Sequence, residues 1–431
     1  MSRSGSSLYL PRMRPLPGRR AVVMSVLDVG STKICCLIAK LTPRDDGAIL
    51  SGRSHSVEVL GYGYQRSRGV KSGVIVDMDA AEHAIRLAVD SAERMAGVTV
   101  ESLIANVSCG RLQSEIFSAS VPLSGDAVAE SDIQRVLSAG SSHSVTEGRA
   151  VTHALPISYS LDGSRGIRDP RGMFGDNLGV SMHMVSVQNS HLRNLSNCVE
   201  RCHLGISKIV SAPYASGLAT LVEDEMDLGV TVIDLGGGST SFAVFYDGEM
   251  VYNEVIPVGG AHVSNDIARG LSTTLANAER MKTLYGSALA SPADEKEIID
   301  VPLIGELDHE VANHVPRSML VGIIKPRIEE ILELVRDRLA ESGFAKVAGR
   351  RAVLVGGASQ LAGVQDLAGR ILDKQVRMGK PIRVKSLADA TGGPAFATAA
   401  GLLSFAMREN FDDQAPMSIA EKTPKNRLLR I

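Results

Sequence analysis

With 431 residues and 44% hydrophobic content, the chain is long enough to bury more than one core, so two or more domains are expected. Its 46 basic and 48 acidic residues nearly cancel, which removes any bulk electrostatic case for a nucleic-acid partner, and the lack of Trp with only 4% aromatics argues against base stacking. No apolar run reaches the ~20 residues needed to span a bilayer.

The first twenty residues carry Arg3, Arg12, Arg14, Arg19 and Arg20 among Ser, Gly and Pro, without the apolar segment of a secretory signal. They read as a disordered basic leader, 1–20. Residues 22–41 then read as strand, turn, strand, the turn being Asp28-Val29-Gly30-Ser31-Thr32-Lys33. A third strand is predicted over 56–63, and a loop with a short strand over 69–75. A helix over 80–96 is capped by Asp79 and stopped by Gly97, with Ala84, Ile85, Ala88, Val89, Ala92 and Met95 on its apolar face. Residues 98–187 read as an inserted α+β domain, with strands at 103–108, 115–121, within 146–159 and at 181–187, a short helix from Ser131 to Leu137, and a loop over 162–179. A helix over 189–202 and a strand over 205–210 follow. The next helix, from Ser211, is rich in small residues (Ala212, Ala215, Ser216, Gly217, Ala219), which suits either a close helix crossing or an ordinary core helix. Among the five cysteines, Cys198 and Cys202 lie one helical turn apart beside His203. No second ligand pair for zinc accompanies them, so they read as core thiols, and free thiols fit a reducing cytoplasm.

Residues 229–260 contain three strands in succession, 230–235, 241–246 and 250–257, the last two joined by the tight-turn pair Asp247-Gly248. Between the first two lies Gly236-Gly237-Gly238-Ser239-Thr240. Its glycines allow positive φ and close approach of a ligand. Its successive N–H groups and hydroxyls form an anion-binding nest. Asp234 ends the first strand, where a carboxylate meets a metal ion riding on phosphates. This repeats the Asp28 turn, so the fold is read as duplicated, with two facing hairpins gripping one polyphosphate. No Gly-x-x-x-x-Gly-Lys-Ser/Thr occurs and each turn is followed by a strand, which excludes a Walker A loop and a Rossmann turn. Two ordinary glycine-rich hairpins remain the alternative.

Further on, Gly259-Gly260 closes the hairpins, and a helix ending at Gly286 places Glu279 and Lys282 on neighbouring turns, where they either reach one ligand or form a solvated face. Residues 321–342 form an amphipathic helix with the stripe Ile328, Ile331, Leu332, Val335 and Leu339. Residues 351–361 read as strand, glycine turn (Gly356-Gly357-Ala358-Ser359) and the start of a helix whose N-terminus faces a ligand. A second small-residue helix occupies 394–403. Residues 408–424 read as a polar linker, and 425–431 begin a basic, apolar pattern.

The two carboxylate turns and the glycine turns, in this order, resemble the actin-like ATPase superfamily. The insert, with 151–159 and 182–187 resembling its strands, makes the FtsA family of bacterial cell-division proteins the nearest likeness. The resemblance covers roughly residues 22–406. It implies a two-lobed, duplicated ribonuclease-H-like α/β fold with an inserted α+β subdomain. First core 1A is 21–97 with 188–227, insert 1C is 98–187, second core 2A is 228–265 with 351–406, and outer subdomain 2B is 266–350. Residues 407–431 become a linker and the start of a membrane-targeting tail.

It further implies ATP with Mg2+. Asp28 and Asp234 hold the metal through water. Gly30, Ser31, Thr32 and Lys33 on one side, and Gly236, Gly237, Gly238, Ser239 and Thr240 on the other, cradle the phosphates. Gly259, Gly260, Glu279, Lys282, Gly356, Gly357, Ala358 and Ser359 surround the nucleoside; Val355 replaces the family's usual Thr. Lys325 and Arg327 face the acidic C-terminal peptide of the tubulin-like FtsZ. The implied role is an actin-like filament at the division site, peripheral on the cytoplasmic face of the inner membrane, tethering FtsZ and recruiting later divisome membrane proteins. Slow ATP turnover at most is expected, because the hinge segment 211–216 offers only hydroxyls, and no catalytic residue is assigned. A small-molecule kinase or phosphatase on the same scaffold, or a pilus-assembly actin homologue, are the alternatives.

Overall fold

Each half of the molecule begins with an apolar strand that ends in a carboxylate, and the sheets grow outward from those two strands. The computed structural model describes residues 13, 15–44, 54–109, 111–142, 146–304, 312–382, 384, 387 and 391–408. The first half contains β1 (Val22–Val29), β2 (Lys33–Pro43), β3 (His55–Arg66), the short pair β4 (Val70–Lys71) and β5 (Val74–Ile75), α1 (Met78–Ala96) and β6 (Ser102–Val107). An insert follows: β7 (Gln113–Pro122), α2 (Glu130–Ser141), β8 (Arg149–Leu161), β9 (Ser164–Ile167) and β10 (Asn177–Gln188). The chain then runs through α3 (Asn189–Arg201), β11 (Gly205–Ser211), α4 (Ala212–Thr220) and α5 (Glu223–Leu228). The second half holds β12 (Val230–Leu235), β13 (Thr240–Tyr246), β14 (Glu249–Ile256), α6 (Gly260–Gly270), α7 (Leu275–Tyr285), β15 (Ile298–Pro302), β16 (Ala312–Pro316) and α8 (Arg317–Glu341). It ends with β17 (Arg351–Val355), α9 (Val364–Leu372), β18 (Gln375–Met378) and α10 (Ala397–Met407).

The two main sheets have one topology. The first is ordered β3-β2-β1-β6-β11 and the second β14-β13-β12-β17-β18. In each, three antiparallel strands form a meander, and two further strands join parallel to its first strand. The duplication expected from the paired turns is therefore present in the strand order itself.

Alternate residues of one strand feed cores on opposite faces. In β2, Cys35, Leu37 and Ala39 enter a central cluster, while Ile34, Cys36 and Ile38 pack outward with α1 and α3. In β13, Ala243 and Phe245 enter the same central cluster, while Phe242 and Val244 face α6, α8 and α9. The central cluster thus lies between the two sheets, and α4 and α10 run through it. Those two helices touch through backbone: a Cβ added at Gly401 would lie 1.8 Å from the Ala215 carbonyl oxygen. The small residues of both helices are there for this crossing.

The insert is a four-stranded sheet, β7-β10-β8-β9, with α2 over one face. It leans on β14, where Ser114 Oγ accepts the Asn253 N–H at 3.2 Å and His183 Nδ1 bonds the Met250 carbonyl at 2.9 Å. It also reaches the root of α4, where His153 Nε2 accepts the Ser211 N–H at 2.9 Å; from β14, Asn253 donates to Ser211 Oγ at 2.7 Å.

Several expectations are corrected. β6 pairs parallel to β1 and β11, so residues 98–108 belong to the first main sheet rather than to the insert read for 98–187. The cap of α1 is Asp77, which accepts the Ala80 N–H at 3.1 Å, and Met95 is exposed. The segment 162–179, read as loop, contains β9 and the start of β10. The basic leader is not free throughout. Met13 is buried and Leu16 packs against the central cluster, while residues 1–12 and 14 lie outside the described residues. So do residues 409–431, with the basic, apolar pattern at 425–431.

Gly401→Ala is expected to cost about 1–3 kcal/mol by overpacking the helix crossing. Gly322→Ala in α8, where an added methyl meets nothing within 4 Å, should instead stabilise by about 0.5–1 kcal/mol. Urea unfolding of the two variants checks this, and equal effects would mean that the crossing contributes nothing special to stability.

Candidate functional site

β1 and β12 deliver Asp28 and Asp234 to one cavity of about 240 Å³ between the halves. The turns that follow share a shape. A Cβ at Gly30 would lie 2.7 Å from the Lys33 carbonyl oxygen, and one at Gly236 would lie 2.7 Å from that of Ser239. None of Gly236, Gly237 or Gly238 has the positive φ expected of that turn, and neither has Gly30. These glycines are required for space. A Cβ at Gly237 would meet Thr32 Cγ2 at 2.2 Å, and one at Gly238 would meet Ser31 Oγ at 2.5 Å. The two turns therefore lie directly against each other across the cleft. Each is braced from behind in its own half. Ser31 Oγ accepts the Gly73 N–H at 2.9 Å, while the Gly236 and Gly237 carbonyls accept the N–H groups of Gly260 and Ala261 at 2.9 and 2.7 Å.

Asp28 is buried and Asp234 partly buried, and both are held. Asp28 Oδ1 accepts from Asn106 Nδ2 at 2.7 Å, and Asn106 Oδ1 accepts the Val29 N–H at 2.7 Å. Asp234 Oδ2 accepts from Ser216 on α4 at 2.8 Å and from Thr398 on α10 at 3.0 Å. Burial pushes the Asp28 carboxyl up to about 7, with the Lys33 ammonium opposing and Asp234 adding to the rise. Burial likewise raises Asp234, against its two hydroxyl donors and Lys33. Lys33 itself is lowered by burial; its Nζ donates to the Ala395 carbonyl and sits 3.3 Å from the centre of the Phe396 ring. With both acids ionised, one ammonium leaves the cavity short of positive charge.

That shortage fits a cation brought with a phosphate. Among the described residues no group of three or more His, Cys, Asp or Glu side chains forms a metal site. A metal here would have two carboxylates and oxygens from elsewhere, which is how Mg2+ is usually held, with waters and substrate phosphates completing its shell. The cavity has room for a phosphate and its cation between the two turns, and Gly356 and Gly357 border it on one side.

Of the residues singled out from the sequence, Asp28, Gly30, Ser31, Thr32, Lys33, Asp234, Gly236, Gly237, Gly238, Ser239, Gly356 and Gly357 line the cavity. Thr240, Gly259, Gly260, Ala358 and Ser359 stand behind it: Thr240 Oγ1 donates to the Val258 carbonyl at 2.8 Å and Ser359 Oγ to that of Gly356 at 2.7 Å. Residues 357–360 form a single 3-10 turn, not the helix N-terminus expected there, and α9 starts only at Val364. Gly356 does need its glycine. Its φ is +87°, and a Cβ would lie 2.4 Å from Asp234 Oδ1. Glu279 and Lys282 are outside the lining; Lys282 Nζ ties α7 to α6 through the Gly260 carbonyl at 3.0 Å and Ser264 Oγ at 2.8 Å. Arg327 is engaged with Asp266 at 2.6 Å, and Lys325 lies 3.6 Å from Glu329.

Asn106, Ser108, Ala212, Ser241, Ala395 and Thr398 also line the cavity and were not singled out. Asn106 had a signal: an amide inside an otherwise apolar strand needs a buried partner.

Comparison with known proteins completes the picture. A family model described as "SHS2 domain inserted in FTSA" matches residues 109–186, and one described as "Cell division protein FtsA" matches 231–401. The cell division protein FtsA of Rhizobium meliloti (strain 1021) is 53% identical over 406 residues, covering 94% of this chain and 92% of the relative. The chain belongs to the FtsA family of cell division proteins. The FtsA insert model begins at residue 109, beyond β6, as the sheet assignment requires. Solved structures with the same fold include the PilM–PilN type IV pilus biogenesis complex (TM-score 0.60, 15% identity, 89% of this chain and 98% of that one) and MreB5 of Spiroplasma citri bound to ADP (TM-score 0.51, 14% identity, 90% and 97%). The FtsA-family fold here is accordingly actin-like.

The raised Asp28 carboxyl has a pH consequence. The folded state holds this proton more tightly than the unfolded chain does, so stability falls as pH rises from about 4 to about 7 and is flat above. Ligand-free Asp28→Asn should lose this component, its stability relative to wild type rising between pH 5 and pH 8. Urea titrations at several pH values measure it; a difference flat with pH would mean that Asp28 ionises normally.

Proposed function

We propose that this FtsA-family protein binds ATP with Mg2+ between its lobes and, so loaded, assembles into an actin-like filament. That filament tethers FtsZ to the cytoplasmic face of the inner membrane at the division site and recruits later divisome membrane proteins. The observation that carries the nucleotide reading is the pair of topologically equivalent strand–Asp–turn–strand hairpins meeting at one cavity. Asp28 and Asp234 would hold the metal, through water. The bound ion would supply the positive charge that the two acids and a polyphosphate together require.

The turn residues Gly30, Ser31, Thr32 and Lys33, with Gly236, Gly237, Gly238, Ser239 and Thr240, take the phosphates, and Lys33 is the protein's own cation there. The nucleoside is assigned to the side bounded by Gly356, Gly357, Ala358, Ser359, Gly259, Gly260, Glu279 and Lys282. Hydrolysis is slow in this reading, because the hinge hydroxyls of Ser216 and Thr398 are already hydrogen-bonded to Asp234. The subdomain division read from the sequence is retained, with 98–108 moved from 1C to 1A. On α8 of subdomain 2B, Lys325 and Arg327 receive the acidic FtsZ peptide, whose carboxylates would replace Asp266 and Glu329 as partners. The segment 425–431 is the membrane-directed one.

Titration calorimetry with ATP and Mg2+ should show binding that Asp234→Ala abolishes and that Gly237→Ala weakens at least tenfold by forcing the turns apart. Circular dichroism controls for folding. Full affinity in both folded variants would refute the site. For the partner, Lys325→Glu with Arg327→Glu should abolish capture by an acidic FtsZ-tail peptide in a pull-down with ATP present; undiminished capture would place the peptide elsewhere.

A further inference from the structure

The ammonium of Lys33, in the first turn, is held by residues from the far end of the chain. Its Nζ donates to the Ala395 carbonyl, 362 residues away in sequence, and lies 3.3 Å from the centroid of the Phe396 ring. Both partners belong to the 3-10 turn Pro394–Phe396 that leads into α10. Ala395 lines the cavity beside Lys33, and the Phe396 ring is buried behind it. The ring is fixed in turn. Tyr64, opposite Cys35 in the pairing of β2 with β3, meets it with ring planes 72° apart and centroids 5.7 Å apart. The other end of the turn is anchored as well, since the Pro394 carbonyl accepts the Gly356 N–H at 3.0 Å. One three-residue turn therefore touches the first phosphate turn through Lys33 and the glycine turn through Gly356.

These partners leave the charge of Lys33 available. A carboxylate in contact would cancel it and occupy its donors. A carbonyl dipole and the face of an aromatic ring attract a cation without cancelling it. The two acids of the cavity are bonded elsewhere, Asp28 to Asn106 and Asp234 to Ser216 and Thr398. They favour the ammonium through space, against the burial that disfavours it.

We propose, resting on the nucleotide reading of this cavity, that Phe396 is the positioning residue for Lys33: its ring face and the Ala395 carbonyl hold the ammonium, uncancelled and with N–H donors to spare, where a polyphosphate between the two turns receives them. Lysine carries its charge on a flexible four-carbon stem, and fixing that stem in advance raises affinity by cutting what binding must immobilise. Phe396 also lies in the central cluster, so a role in packing alone is the competing account. The two accounts separate on the lysine, because packing acts on affinity whether or not residue 33 carries a charge.

Titration calorimetry of the full chain with ATP and Mg2+ is the test. Phe396→Leu, which removes the ring face, should weaken ATP binding about three- to thirtyfold, the range that a desolvated ammonium–ring contact spans. Phe396→Tyr, which keeps the face, should bind within about twofold of wild type. In a Lys33→Met background the further loss on Phe396→Leu should shrink below about twofold, since the group being positioned is gone. Circular dichroism confirms folding, and Phe396→Met replaces Phe396→Leu if the latter does not fold. Equal losses with and without the lysine would make the ring a packing element and overturn the proposal. So would Phe396→Tyr binding as weakly as Phe396→Leu, a comparison that decides where Lys33→Met binds too weakly to titrate. Wild type that binds no ATP sinks the nucleotide reading and this inference with it; a binding wild type matched by a folded Phe396→Leu sinks the inference alone.

Discussion

Two carboxyls facing one cavity, Asp28 buried and Asp234 partly so, are the constraint on which the architecture turns. Repulsion and desolvation both oppose Asp28 and Asp234 as ions, and the fold answers with hydrogen-bond donors drawn from different places. Asp28 is held by Asn106 on a neighbouring strand of its own sheet. Asp234 is held by hydroxyls from α4 and α10, the helices that cross between the halves. The atoms that stabilise the second carboxylate are therefore the atoms of the hinge. Whatever neutralises Asp234 changes the hold on Ser216 and Thr398, which lie 2.9 Å apart. Charge in the cavity and the packing of the crossing helices cannot be altered independently.

Much of the cavity was legible because its chemistry is local. An apolar strand, a terminal carboxylate and a small-residue turn are contiguous, and the repeat of that pattern announced both hairpins and the duplication. What was not legible depends on long-range partners. The run Leu-Ile-Ala-Asn-Val shows that β6 is buried but carries no mark of the sheet it joins, since parallel pairing with β1 bridges 78 residues, from Val26 to Ile104. The purpose of the glycines was misjudged for the same reason. Gly237 and Gly238 look like residues that need unusual φ, whereas they make room for Thr32 and Ser31 from the other half. Helix spacing shows Lys282 on one face of α7 but not that its Nζ also donates to the Gly260 carbonyl at the first turn of α6.

The insert is tied to the hinge more directly than an added domain needs to be. His153 of the insert accepts the N–H of Ser211, the residue immediately before α4, and Ala212 at the start of α4 lines the cavity. A surface that lies outside the duplicated core thus shares a residue pair with the cavity wall. The orientation of the insert and the state of the cleft have a common mechanical element in Ser211–Ala212.

The backbone contact between Gly401 and Ala215 also limits how the halves move. With no side chain between them at that point, the helices have no cushion to shear and no ridge to ratchet over. At that contact the two helices have no layer of side chains to deform. A pivot at this contact would move the carboxylate Asp234, joined to both helices through Ser216 and Thr398, less than parts of the molecule farther from the crossing.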